Sequence, residues 1–495
     1  MKTVGEREAR ELILSGRAPE DLHVRIEDYT SAVRLDLSDQ LDLRTLPERL
    51  TVWGRLDLSG CTNLQALPPG LVVKYPIILS GCTALKTIPD DLEACSIVLN
   101  GCTALRAIPD GIRTKGLYLK NCPLVEELPR ELPSLEGLSV EDCPALTALP
   151  IELHLHNLHI SNCPSLGHLP ASLTVDHYFY LRECPRVESL PDSVVGYLHI
   201  EGQTGLREFP RNVKATSITL KDCAWLTELP EGLHLEGYLS LSECHNLRTL
   251  PNDLKVGDLH LTDCTGLTEL PANLMVPGSL ELIRCTGITQ LPAKLKDDRS
   301  EYLGDERHTN LAGCTGLVEL PEEFAYVIML GLEGCSSLTT LPEEMEVLDL
   351  LELSFCTSLR ELPRGLSVGY MLMISGCKNL TELPDDLRIG DEENKGLLVI
   401  GGTGLTGLPP SLSNVDLEWY GVPIDKETVF AGNTLKYEDI LSENRSDRQW
   451  VMIQLFGEKR FKEELLKRND TFDMPNPPSS FFAYWPDREV DWSAL

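Results

Sequence analysis

From Leu35 to Leu412 the apolar positions repeat in one phrase, stated most clearly by Leu56-Asp-Leu-Ser-Gly-Cys-Thr-Asn-Leu-Gln-Ala-Leu-Pro68. Eighteen copies follow one another at 20 or 21 residues, apart from two interruptions. Within each copy the Leu-x-Leu alternation has the two-residue period of a half-buried strand. It predicts Leu56 and Leu58 inward, and Arg55, Asp57 and Ser59 outward. The Gly or polar residue before the cysteine suits the bend that ends the strand, as at Gly60, Gly81 and Gly101. Leu64 and the Leu67-Pro68 pair then fill the core from a returning arm. Proline donates no N–H, so this arm is expected to be extended, and so short a period leaves room for only a short helical piece.

A fixed internal period makes the array one stacked structure instead of a string of globular domains. The phrase resembles the leucine-rich repeat, in a version with cysteine where asparagine is usual. It is similar to the short-repeat class of bacterial leucine-rich proteins, and its Leu-Ser-Gly-Cys-Thr-x-Leu wording also resembles the arrays of plant intracellular immune receptors. The resemblance spans about three quarters of the chain. It implies a curved leucine-rich repeat solenoid with a parallel β-sheet on its concave face. It also implies a recognition surface, the usual task of such arrays. The expected organisation is an N-terminal helical cap over 1–32, the solenoid over 33–412 and a small C-terminal helical domain over 413–495.

Fifteen of the sixteen cysteines, from Cys61 to Cys377, occupy one slot of the repeat, and Cys95 alone lies outside it. One cysteine per repeat marks a structural register, not the clustered spacing of a zinc site. A reduced, inward-facing row is expected, since free cysteine behaves as a small buried hydrophobe. Gln40 and Gln203 take the slot in repeats one and nine, and Gly402 is read there in the last. Charged insertions lie at Lys296 to His308 and Arg388 to Lys395.

The flanks read differently. Glu6 to Leu14 is helical and ends at Ser15-Gly16, as a cap on the first repeat's open apolar face requires. Beyond Leu412, Asp447 to Phe456 carries apolar residues at helical spacing, Gly457 interrupts, and Glu458 to Arg468 continues with Glu458/Lys462 and Glu463/Lys467 pairs. This stretch is similar to a small helical segment that follows repeat arrays in some bacterial proteins. The tail from Pro475 to Leu495 holds Phe481, Phe482, Tyr484, Trp485 and Trp492, and packing within its own domain or along the solenoid is expected of it.

Charge narrows the partners. A net charge of −32 opposes a nucleic-acid backbone or an anionic membrane and favours a protein with a basic patch. No apolar run approaches a membrane span, and the first residues lack the apolar segment of a secretory signal, so a cytoplasmic protein is expected, with secretion by another route left open.

Candidate chemistry lies on the outward strand positions. Tyr118, Asn157, His159, Tyr178, Tyr180, Tyr197, His199, Tyr238 and His260 flank the first inward residue of successive strands and concentrate aromatics on the concave face. Tyrosine clusters of this kind are typical of recognition surfaces. His159 and His199 are two strands apart, about 10 Å at their roots, so a shared metal ion is not expected. Nearer the C-terminal end the same positions become apolar, at Met329, Leu350, Met371, Met373 and Leu398, and such a stripe calls for a cover. Phosphate-loop, dinucleotide, zinc-protease and serine-hydrolase signatures are absent from the sequence. The bacterial effector class that joins leucine-rich repeats to a cysteine-dependent ubiquitin ligase needs a thiol beyond the repeats, and none follows Cys377. The expectation is a non-catalytic protein-binding module without cofactor or metal. The alternative is an effector whose repeats select a target for the C-terminal domain.

Overall fold

A computed structural model describes residues 2–25, 34–191, 194–211, 213–293, 308–391, 394–430, 434–468, 470 and 472–479. The chain divides into two compact units, Met1–Leu247 and Arg248–Leu495. Most of the 296–308 insertion and the five tail aromatics lie outside the described residues.

In the first unit the alternating leucines form a parallel sheet. Its strands follow in chain order from Arg34–Asp36 through Gly116–Lys120, Gly137–Glu141, His154–Ser161, Thr174–Arg182, Val195–Glu201 and Lys214–Lys221 to His234–Ser242. Leu56, Leu58, Cys61 and Leu64 are completely buried, as the period predicts. Each fully buried leucine side chain stabilises the stack by roughly 1.5–3 kcal/mol. The returning arms are extended and meet their neighbours in parallel bridges such as Ala66–Thr87 and Glu127–Ala148. This is a leucine-rich repeat solenoid. The strand Lys2–Val4, paired in parallel with Leu22–Val24, begins the unit, and the helix Glu6–Leu14 follows it, burying Ala9 and Ile13, with Arg10 Nε donating to the Asp36 carbonyl at 3.0 Å. Asp57 departs from expectation. It is on the outward face yet only 6% exposed, because Arg55 and Arg34 cover it at 3.1 and 3.8 Å while the Ser59 hydroxyl donates to it at 2.7 Å.

The cysteine slot has a hydrogen-bonding role. Cys61, Cys82, Cys102 and Cys122 donate their thiols to the carbonyl oxygens of Leu37, Leu58, Leu79 and Leu99, one repeat earlier, at 3.0, 3.2, 3.2 and 3.0 Å. All fifteen slot cysteines are buried and free of disulfides. Burial pushes the Cys102 thiol up to about 12, so it stays protonated and keeps its donor. The residue before the slot turns left-handed in every repeat: Gly60 has φ 72°, and Asn121, Asp142 and Asn162 take the same region at 51° to 53°. A Cβ on Gly60 would stand 2.1 Å from the Asp39 carboxylate, so a larger residue there would have to displace that side chain.

The second unit repeats this plan from Lys255–Thr262 to Leu397–Ile400. The Cys314, Cys335, Cys356 and Cys377 thiols donate to Leu282, Leu311, Leu332 and Leu353 at 2.7 to 3.2 Å. A further parallel strand, Asp416–Trp419, pairs with Leu397–Ile400, and Val422–Pro423 closes on it antiparallel. Gly402, with φ 64°, takes the left-handed position that precedes the cysteine elsewhere, so the last repeat lacks the slot. Helices Ser446–Phe456 and Glu458–Arg468 then break at Gly457, as the sequence predicts, and with Tyr437–Ser442 enclose Tyr437, Ile440, Ile453, Phe456 and Phe461. Lys462 pairs with Glu458, whereas Lys467 takes Glu464 at 2.9 Å and not Glu463. Among the described residues no helix is long and apolar enough to cross a membrane.

Candidate partner-binding surface

Register brings most of the predicted aromatics of the first unit into one network. Tyr178 pairs with Tyr197 across adjacent strands, and His159, Tyr180 and His199 follow one another in the next column. Because successive strands lie about 4.8 Å apart, planar side chains on neighbouring rungs must stack. His159 lies on Tyr180 with centroids 4.4 Å apart and planes at 21°, and Tyr180 meets His199 at 4.6 Å. Tyr178 stacks on Tyr197 at 5.2 Å, and Tyr197 reaches over Ser217 to Tyr238 at 5.9 Å. Tyr118, 41% exposed, stands apart from this network, and Asn157 is exposed beside it. His260 belongs to the second unit, where its strand partner is Glu281.

The polar ends of these rings converge on Glu201, which the sequence reading did not single out. Tyr180 Oη donates to Glu201 Oε2 at 3.0 Å, Lys221 Nζ approaches Oε1 at 3.5 Å, and His199 Nε2 lies 3.7 Å from Oε2. Burial works to raise the Glu201 carboxyl, but the Tyr180 hydroxyl, Arg182 and Lys221 outweigh it and hold it below the usual range. Glu201 occupies the third outward position of its strand, one step beyond the two positions that carry the rings. Tyr197 Oη donates to Thr219 Oγ1 at 2.9 Å, and burial raises its phenol to about 12.

Burial also holds both histidines below the usual imidazole range, against the attraction of Glu141 for His159 and of Glu201 for His199. They are therefore neutral at pH 7, and the network presents uncharged rings. His199 Nε2 is buried without a hydrogen-bond partner among the described residues. Two histidines outside the predicted set, His156 and His177, pair at 5.1 Å on the N-terminal extension of these strands. No group of three or more His, Cys, Asp or Glu among the described residues is placed to hold a metal ion.

The apolar stripe of the second unit runs in register through Met329, Leu350 and Met371 to Leu397. The first three are half-buried and Met373 is buried. Leu398 is corrected: it pairs with Leu372 and is completely buried, so it faces inward and Leu397 takes the outward place.

No protein-family model and no curated protein matches the sequence. Among solved structures, the chain is similar to a leucine-rich repeat protein from Bacteroides ovatus at 16% identity, over 80% of this chain and 97% of that one, with a TM-score of 0.24. It is also similar to YopM from Yersinia enterocolitica at 19% identity, over 78% and 91% of the two chains, with a TM-score of 0.27.

Proposed function

We propose that the chain is a non-catalytic interaction protein that binds another protein through the outward strand face of its first unit. The carrying observation is the continuous ring network of His159, Tyr178, Tyr180, Tyr197, His199 and Tyr238. Rings already stacked on one another lose little further freedom on binding, so their contact area converts to affinity at low entropic cost. With the histidines neutral and the one central carboxylate already partnered, the network offers an apolar centre with a polar margin, the anatomy of a protein interface. The charge of −32 favours a partner with a basic patch and speeds its approach.

The test compares wild type with Tyr178→Ala/Tyr180→Ala/His199→Ala as bait in native lysate, both checked for equal melting. A protein retained by the first and lost by the second supports the reading. Equal recovery overturns it and moves attention to Met329, Leu350, Met371 and Met373, or to an effector role for the C-terminal helices.

A further inference from the structure

In the column that runs through Tyr118, Ser139, His159, Tyr180 and His199, every rung but one carries a ring. The exception is Ser139. One face of His159 is covered by Tyr180, and the other is turned to Ser139. The neighbouring column offers no side chain there either, since Gly137 stands between Gly116 and Asn157. Tyr118 does not close the gap. Its ring lies along its own strand, 2.9 Å from where a Cβ on Gly116 would stand, with its hydroxyl toward Gly137. At Ser217, by contrast, Tyr197 and Tyr238 lean together and fill the space. Tyr118 and His159 are two strand steps apart, about 9.6 Å at their roots, so the Ser139 rung between them has the width of one planar group against the open face of His159.

A carboxylate closes one end of this gap. Glu141 Oε2 accepts from Lys120 Nζ at 2.9 Å, while among the described residues Oε1 has only the Ser139 hydroxyl at 3.4 Å and His159 Nε2 at 3.8 Å. The space thus combines an aromatic wall, a floor whose one side chain is the small Ser139, and an acceptor in reach of a further donor.

Resting on the proposed binding face, we propose that this gap receives an arginine side chain of the partner protein, its guanidinium stacked on His159 beside Tyr118 and donating to Glu141 Oε1. A guanidinium is planar, weakly hydrated and rich in donors, so it meets the aromatic wall and the acceptor together. An ammonium has no plane to stack, a phenyl ring would leave the acceptor unanswered, and an anion would oppose both Glu141 and the net charge.

The test is fluorescence anisotropy of labelled nona-arginine and nona-lysine with the full chain, its Ser139→Tyr variant and its Glu141→Gln variant. Ser139→Tyr sets in this rung the ring that Tyr118 and Tyr180 set in theirs, and Glu141→Gln adds no bulk. At about 0.15 M salt, where distant charges are screened, wild type should favour nona-arginine by about two- to fivefold, the scale of an exposed cation–π contact. Ser139→Tyr should bring the ratio near one with nona-lysine affinity unchanged, and Glu141→Gln should lower it. Equal affinities in wild type, or a ratio kept by Ser139→Tyr, overturn the proposal. In the lysate experiment, loss of the captured protein by the triple variant but not by Ser139→Tyr leaves the binding face standing and removes the arginine gap.

Discussion

The Sγ of Cys82 donates to the carbonyl oxygen of Leu58 across 3.2 Å, one repeat earlier in the chain. The same oxygen accepts the backbone N–H of Cys61 at 3.2 Å. Both lone pairs of a buried carbonyl are thus satisfied, one within its own repeat and one from the next. Cys102, placed identically above Leu79, is the position at which to measure this. Cys102→Ala should cost roughly 1–3 kcal/mol, by loss of a buried donor and of packing. Cys102→Asp should cost about 3–5 kcal/mol by burying an unpaired charge. Urea midpoints decide it, and a wild-type midpoint for the aspartate variant would contradict an inward slot.

Thiol chemistry should separate one cysteine from the rest. Cys95 is exposed, whereas the fifteen slot cysteines are buried. Burial pushes Cys102, Cys314, Cys335 and Cys377 up to about 12, so they hold almost no thiolate at neutral pH. Native protein should take up one equivalent of a thiol reagent at pH 8, and Cys95→Ser none. The denatured chain, with its sixteen cysteines, should take up sixteen. Fast native labelling of several sites would show that the stack opens.

What the sequence disclosed and withheld follows from periodicity. Leu56 and Leu58 alternate with polar residues, so their direction could be read directly, and Gly457 could be read as a helix break. Leu397-Leu398-Val399-Ile400 is apolar throughout, so alternation cannot orient it, and a repeat shortened at Gly402 removes the cysteine that would. Tyr180 and His199 were visible as candidates because their columns are counted from the first inward leucine. Glu201 was not, because its part in the network comes from reach across strands and not from its own column. The arginines over Asp57 act in the same cross-strand way.

Acid should weaken the first unit through its histidines. The folded state holds His159 and His199 below their ordinary value of 6.5, so the unfolded chain takes up protons first as pH falls. Stability present above about 6.5 is therefore lost below it. Melting temperatures between pH 7.5 and 5.5 should fall more for wild type than for His159→Gln/His199→Gln. Parallel curves would mean that the imidazoles are freely solvated.

Glu352 works in the opposite sense. Burial raises its carboxyl from 4.5 to about 7, despite the Ser354 N–H donating to it at 2.7 Å, and nearby Glu333 adds to the rise. Here the folded state binds the proton more tightly, so stability is lost as pH climbs from 4.5 through 7. Glu352→Gln keeps an acceptor for Ser354 and removes the charge. It should stabilise the second unit at pH 8 by at most about 3 kcal/mol, less what solvent screens, and have little effect at pH 4.5. A variant no more stable at pH 8 than wild type would place this carboxylate in water.

The thiol row also bears on how such a chain can grow. In the run from Cys61 to Cys122, each of the repeats carrying Cys61, Cys82 and Cys102 brings one donor for the unit before it and one acceptor for the unit after it. Duplicating a segment such as the one from Cys61 to Cys82 would therefore create a new pair and orphan no existing group. Gene-level expansion or contraction by whole units then keeps this donor and acceptor pattern intact. The number of repeats is thus free to change by whole units.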